Sequence, residues 1–257
     1  MNWRRMRAII RKEWQEIRKN KMILSTMIFL PVVLVGMILV TDYFMLRYPD
    51  EGDAPPMPPA LEAMGPEGFV VVMNEQYMFY LLLIPAALPV AIAAYSIIGE
   101  KETRSLEPLL ATPVSTWELL AAKTLAATTP AVLITWVSYA ALLLGSCLLV
   151  PPQIFAYLAR PVWVVSMLLL SPLFALLSVL SGVIASSRIN DPRAAQSVAA
   201  IFIVPVMGLS IGVLMGRILV SLWMVLAAAA VLLAVNVGVL AVAVRLFQRE
   251  TILTRWK

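Results

Sequence analysis

The chain has 257 residues, 61% hydrophobic and 14% charged, with a formal net charge of +5 and a mean hydropathy of +0.88. A soluble domain averages about 45–50% apolar and about 25% charged, so a soluble enzyme and a disordered chain are both excluded. No histidine is present and Cys147 is the single cysteine, which removes a histidine-based triad, a His/Cys zinc site and an intrachain disulfide.

In chain order, residues 1–21 come first. Trp3, Met6, Ile10, Trp14 and Ile17 follow one another at helical spacing and make one apolar face. Arg4, Arg5, Arg7, Arg11, Lys12, Arg18 and Lys19 cover the others. This pattern predicts an amphipathic cytoplasmic helix in the headgroup layer, its cations on anionic lipid. In a chain this apolar, the positive balance matches a membrane surface better than nucleic acid. A cleaved signal peptide is the competing reading. The charged lead is too long for it, the apolar run exceeds an h-region, and no small-x-small cleavage site stands out.

Charged residues then divide the remainder, 22–257, into six long uncharged windows, of 20 residues between Lys21 and Asp42 up to 36 between Lys123 and Arg160. About 20 apolar residues cross a bilayer as a helix, and barrel-type alternation is absent. The prediction is an all-α polytopic membrane protein with spans at about 22–41, 76–98, 124–149, 162–186, 196–215 and 219–244. With the N-terminus inside, 17 of the 20 lysines and arginines lie on inner segments, and only Arg47, Arg160 and Arg217 lie outside. That asymmetry predicts cytoplasmic termini.

The outer loop, 42–75, carries Pro55, Pro56, Pro58 and Pro59 and reads as a solvated connector. Its carboxylates show no metal-ligand spacing. Prolines Pro31, Pro85, Pro89, Pro130, Pro172 and Pro205 interrupt the spans and are expected to kink them. The spans otherwise lack ionisable residues, which argues against a proton or ion path through the bundle. Their polar residues are Asn236 and scattered Ser and Thr: Thr128, Thr129, Thr135, Ser138, Ser166 and Ser178. Asn236 reads first as an interhelical hydrogen-bonding group and second as a point on a polar pathway. In the fifth span Gly208, Gly212 and Gly216 form a G-x-x-x-G-x-x-x-G series, and Ala227, Ala230, Ala234, Gly238 and Ala241 form a small face in the sixth. Both are helix-packing surfaces, within the bundle or between two copies.

The inner loop 99–123 reads GEKETRSLEPLLATPVSTWELLAAK. Ser115 and Glu118 have the S-x-x-E spacing of a capping box for the helix that follows. Residues 100–111 are expected to form a short helix along the inner face, with leucines and carboxylates to offer a soluble partner. Gly99-Glu100-Lys101-Glu102, Leu106-Glu107-Pro108-Leu109-Leu110 and Thr112-Pro113-Val114 resemble the signature of ABC-2 type transporter permeases, which follows their second membrane helix. The six-span layout and the basic amphipathic start resemble the family too.

The resemblance implies a type V exporter-like permease in the inner membrane of a prokaryote, not itself an enzyme. Gly99, Glu100, Glu102, Leu106, Glu107, Leu109, Leu110, Thr112 and Pro113 would form the coupling loop that takes motion from an ATPase. The implied partners are two copies of an ABC ATPase, a second permease copy or sister permease, and membrane lipid, with no nucleic acid. No G-x-x-x-x-G-K-[ST] occurs in these residues, so no cofactor is expected on this chain, and ATP and Mg belong to the ATPase. The short link near Gly216-Arg217 departs from relatives that carry re-entrant helices there. Alternatives of other classes are a subunit serving metalloenzyme or cytochrome maturation, a non-transporting scaffold, and a passive channel or secondary carrier.

Overall fold

The computed structural model describes residues 3–48, 61, 64–102, 115–189, 191–203 and 220–246. Among these every regular element is helical. Helix α1 covers Trp3–Lys19, α2 Lys21–Arg47, α3 Pro66–Glu102 and α4 Thr116–Leu149. Short helices α5 (Pro152–Leu158) and α6 (Pro161–Val165) lead through a π-helical turn, Ser166–Leu170, into α7 (Ser171–Arg188). Then follow α8 (Pro192–Ala199), a 3-10 turn at Ala200–Ile203, and α9 (Leu222–Leu246).

Five stretches among the described residues are long and apolar enough to cross a membrane: Lys21–Arg47, Glu67–Glu100, Trp117–Leu149, Pro152–Ser187 and Leu222–Arg245. The predicted fifth span, 196–215, is described only as far as Ile203. Gly208, Gly212 and Gly216 lie outside the described residues.

The helices are longer than the uncharged windows. α2 continues past Asp42 to Arg47, and α3 starts at Pro66, so helix enters the expected outer loop 42–75 from both ends. A charge does not end a helix; a lost backbone partner or a cap does. The start of α2 is capped by Asn20, whose side chain accepts from the Met22 and Ile23 amides. The expected capping box opens α4: Ser115 Oγ accepts from Glu118 N at 3.2 Å, and Glu118 Oε2 accepts from Ser115 N at 3.1 Å.

α3 is the axis of the bundle. It packs most extensively on α7 and also on α2, α4 and α8, while α9 lies against α7. Met78, Leu81, Ile84 and Ile97 of α3 and Leu180 and Val183 of α7 are essentially inaccessible. α3 runs unbroken through Pro85 and Pro89; neighbouring helices re-satisfy the freed backbone groups in a membrane. The close α3–α7 contact is made at Gly182, where a Cβ would meet Val90 and Ala93 at 3.1–3.2 Å. α2, α4 and α9 turn large apolar residues outward, among them Phe29, Val137, Leu148 and Trp223. In water such faces would be a liability; in lipid they are the solvated surface.

The π turn precedes Pro172, and a side chain of α4 bonds to its ladder from outside. Trp136 Nε1 of α4 donates to Met167 O at 2.9 Å and to Ser171 Oγ at 3.1 Å, and Ser171 Oγ itself donates to Met167 O. Trp136→Phe is expected to lower stability by about 1 kcal/mol, as interhelical hydrogen bonds in membranes do. A thermal melt of the purified chain should fall by about 2–4 °C.

Candidate functional site

At the end of the bundle where α1 docks, four charged side chains from three helices meet. α1 turns Met6, Glu13 and Ile17 inward, so an acidic residue sits in the middle of its buried stripe. Trp3 and Trp14 stay substantially exposed, and Trp14 Nε1 donates to Ala126 O of α4 at 3.0 Å. Lys123, from the second turn of α4, is only 7% exposed at its side chain. Its ammonium donates to Glu13 Oε1 and to Ser96 Oγ, both at 2.7 Å, and stands 2.9 Å from Glu100 Oε2. Ser96 Oγ donates in turn to Glu13 Oε2 at 2.8 Å. Lys12 of α1 completes the set, 2.7 Å from Glu100 Oε1 and 3.4 Å from Glu16.

The two ammonium groups balance the two buried carboxylates, which is what makes burial of Glu13, Glu100 and Lys123 tolerable. On the inner side a cavity with room for about one water lies between Glu13, Ser96 and Lys123 and apolar Ile92, Val179 and Val183. Burial works against the charge of Lys12, but Glu100, with Glu16 and Glu13 nearby, holds its pKa above the ordinary lysine value. The raised value means that this pairing is complete at neutral pH and is lost only as the pH climbs through that alkaline value.

The network brackets the predicted inner loop. Gly99 and Glu100 are the last turn of α3, and Lys123 lies just inside α4. The expected separate helix therefore does not begin at Glu100: α3 runs on through Glu102, because no helix-breaking residue intervenes. Leu106, Glu107, Leu109, Leu110, Thr112 and Pro113 lie outside the described residues, as does the side chain of Glu102. The two ends of the loop are thus tied to each other by Glu100–Lys123 and to α1 by Lys12 and Glu13. Sequence reasoning missed Glu13, Ser96 and Lys123 as one unit. The available signal was Glu13, an acid seven residues after Met6 and four before Ile17 on the buried stripe.

Asn236 is 2% exposed and its Nδ2 donates to Leu173 O of α7 at 3.1 Å and to Leu232 O at 2.8 Å. It ties α9 to α7. Thr129, Thr135, Ser138 and Ser166 spend their hydroxyls on carbonyls four residues earlier in the chain. Ala227, Ala230, Ala234, Gly238 and Ala241 of α9 are exposed.

A second polar group occupies the opposite end. Asp42 of α2 and Asn74, Glu75 and Gln76 of α3 are all buried. Asn74 Nδ2 donates to Asp42 Oδ1 at 2.8 Å, and Arg160 stands 3.7 Å from Glu75 Oε1 and over the Tyr157 ring. Asp42 and Glu75 border the expected spans 22–41 and 76–98, and they lie in helix and are buried where the sequence predicts a solvated loop. At 1.5 Å per residue the two polar groups are about 38 Å apart along α3. That exceeds the hydrocarbon core of about 30 Å, so each belongs near one face of the bilayer.

Long apolar helices around a central span, with a basic helix docked at one end, define a polytopic membrane protein. A family model described as ABC-2 family transporter protein matches residues 7–219. The chain belongs to the ABC-2 transporter family and is a membrane-embedded permease of an ABC transporter. Membership implies association with an ABC ATPase. A search of the curated proteins found no match.

Proposed function

We propose that this permease is one of two membrane subunits of an exporter in the inner membrane of a prokaryote, driven by two separate ATPase subunits that carry ATP and Mg. Both termini lie in the cytosol, as the basic residues favour. Residues 99–113 receive the ATPase stroke, with Leu106, Leu109 and Leu110 in its cleft and Glu102 and Glu107 on its basic rim. Six spans make up each copy, and Gly208, Gly212 and Gly216 pack helices within or between copies. α1 rests on anionic lipid through Arg7, Arg11, Arg18 and Lys19.

One observation carries this reading beyond the family match. Glu100, inside the G-E-K-E run, is ion-paired to both α1 and α4. A push on the adjoining loop is thereby delivered to three helices together. The test is affinity purification of the tagged chain from its native membrane in mild detergent. A P-loop ATPase is expected in the eluate, and its absence defeats the proposal. Leu110→Asp is expected to cut ATPase stimulation about tenfold, since seating a charge in an apolar cleft costs about 1–3 kcal/mol. Insertion and melting temperature should not change. Unchanged stimulation in that variant sinks the loop assignment while leaving the subunit composition standing.

A further inference from the structure

The contact of Asp42 with Asn74 has an unfinished hydrogen-bond account. Asp42 is 0% exposed and Asn74 2% exposed. The Asn74 amide nitrogen gives one hydrogen bond to Asp42 Oδ1 at 2.8 Å and one to Val70 O at 2.9 Å. Both neighbours are acceptors, so the amide is oriented unambiguously. Two buried atoms of this pair are left with no partner: Asp42 Oδ2 and Asn74 Oδ1. Orphaned buried acceptors each cost free energy, and a buried carboxylate without a cation costs more.

Among the described residues, nothing facing Asp42 supplies that cation. α2 itself offers Arg47, which is exposed. α3 offers Glu67 and Glu75, and Arg160 is engaged with Glu75. α4 offers at this end only Tyr139, bonded to Leu158 O, and the exposed Cys147. α1 packs at the opposite end. Among the described residues no three His, Cys, Asp or Glu side chains converge to hold a metal ion. A proton needs no coordination sphere. Carboxyl and amide are planar forks already joined on one tine, and a hydrogen on Asp42 Oδ2 would donate to Asn74 Oδ1 and satisfy both orphans at once.

The geometry points to a proton-binding site shared by Asp42 and Asn74 at the α2–α3 contact, occupied at neutral pH. The bound proton closes the acid–amide ring and fastens α2 to α3. Its release leaves a buried negative charge against a carbonyl oxygen and loosens the two helices. The site stands independently of the transporter reading.

The sign of the linkage is set: a proton held by the folded chain and not by the unfolded one makes stability fall as pH rises. The test uses the full chain in liposomes and in detergent. The infrared spectrum at neutral pH should contain a protonated-carboxyl C=O band that is lost in Asp42→Asn and kept in Glu75→Gln. Asparagine at 42 reproduces the neutral ring, so Asp42→Asn should melt close to wild type at about pH 6. Between about pH 6 and about pH 9 the wild-type midpoint should fall on the order of 5 °C further than that of Asp42→Asn. A band unaltered by Asp42→Asn overturns the assignment. So does an Asp42→Asn midpoint on the order of 10 °C below wild type at neutral pH, which would mean that the ionised carboxylate is the stabilising form.

Discussion

Lys123→Met is expected to lower stability by about 3–5 kcal/mol, because removing one member of a buried ion network strands its partners. Lys123 is the shared cation of Glu13 and Glu100, whose side chains are only 4% and 6% exposed. Methionine keeps most of the length and none of the charge, so two carboxylates would remain buried against a thioether. The thermal midpoint in detergent should fall by about 10 °C. The loss is electrostatic rather than steric, which a triple variant checks. Lys123→Met combined with Glu13→Gln and Glu100→Gln should recover most of the deficit, since no buried carboxylate is then stranded and the part-exposed Lys12 keeps Glu16. If Lys123→Met alone melts with wild type, the network is not the clamp described. The same reasoning disqualifies Glu100 as a clean probe of ATPase coupling: changing it disturbs three helices at once, whereas Leu110 carries no charge to pair.

Gly182→Leu is expected to be the other severe change. A Cβ at 182 would stand 3.1 Å from Val90 Cγ2, 3.2 Å from Ala93 Cβ and 3.2 Å from the Val90 carbonyl oxygen. The first can rotate away; the backbone oxygen cannot without moving α3. Overpacking of this kind costs about 1–3 kcal/mol and more for a branched side chain. The α3–α7 contact is the most extensive among the described helices, so the penalty falls on the central seam. Gly182→Ala should lower the melting midpoint by a few degrees at most, about 2–4 °C per kcal/mol, and Gly182→Leu should reduce the monodisperse fraction in size exclusion. Equal behaviour of the two would show that the helices are free to separate there.

Much of the architecture was readable because lipid imposes a coarse rule: long uncharged stretches must be helices. The capping box at Ser115 and Glu118 was readable for a similar reason, being a local pattern with a local cause. The polar groups at both ends were not. Using charges as borders assigns Asp42 and Glu75 to a loop automatically, whereas helices end where caps and backbone partners run out. The clamp was hidden differently. Glu13 and Lys123 are 110 residues apart, and no spacing rule connects an acid on an interfacial helix to a lysine at the head of a span. Within α1, the apolar spacing located the buried stripe through Met6 and Ile17 but included Trp14, which stays 43% exposed. The indole lies at the edge of the contact, where its ring is part-exposed and its nitrogen reaches Ala126.

Asn20 alone separates α1 from α2. A joint of one residue keeps the end of α1 within a few ångströms of the start of α2, so the docking of α1 on α4 is held in place by its contacts as well as by the chain. Adding a single amino acid within α1, between Met6 and Glu13, would turn Met6 by about 100° relative to Glu13 and Ile17 and split the buried stripe with every side chain still present.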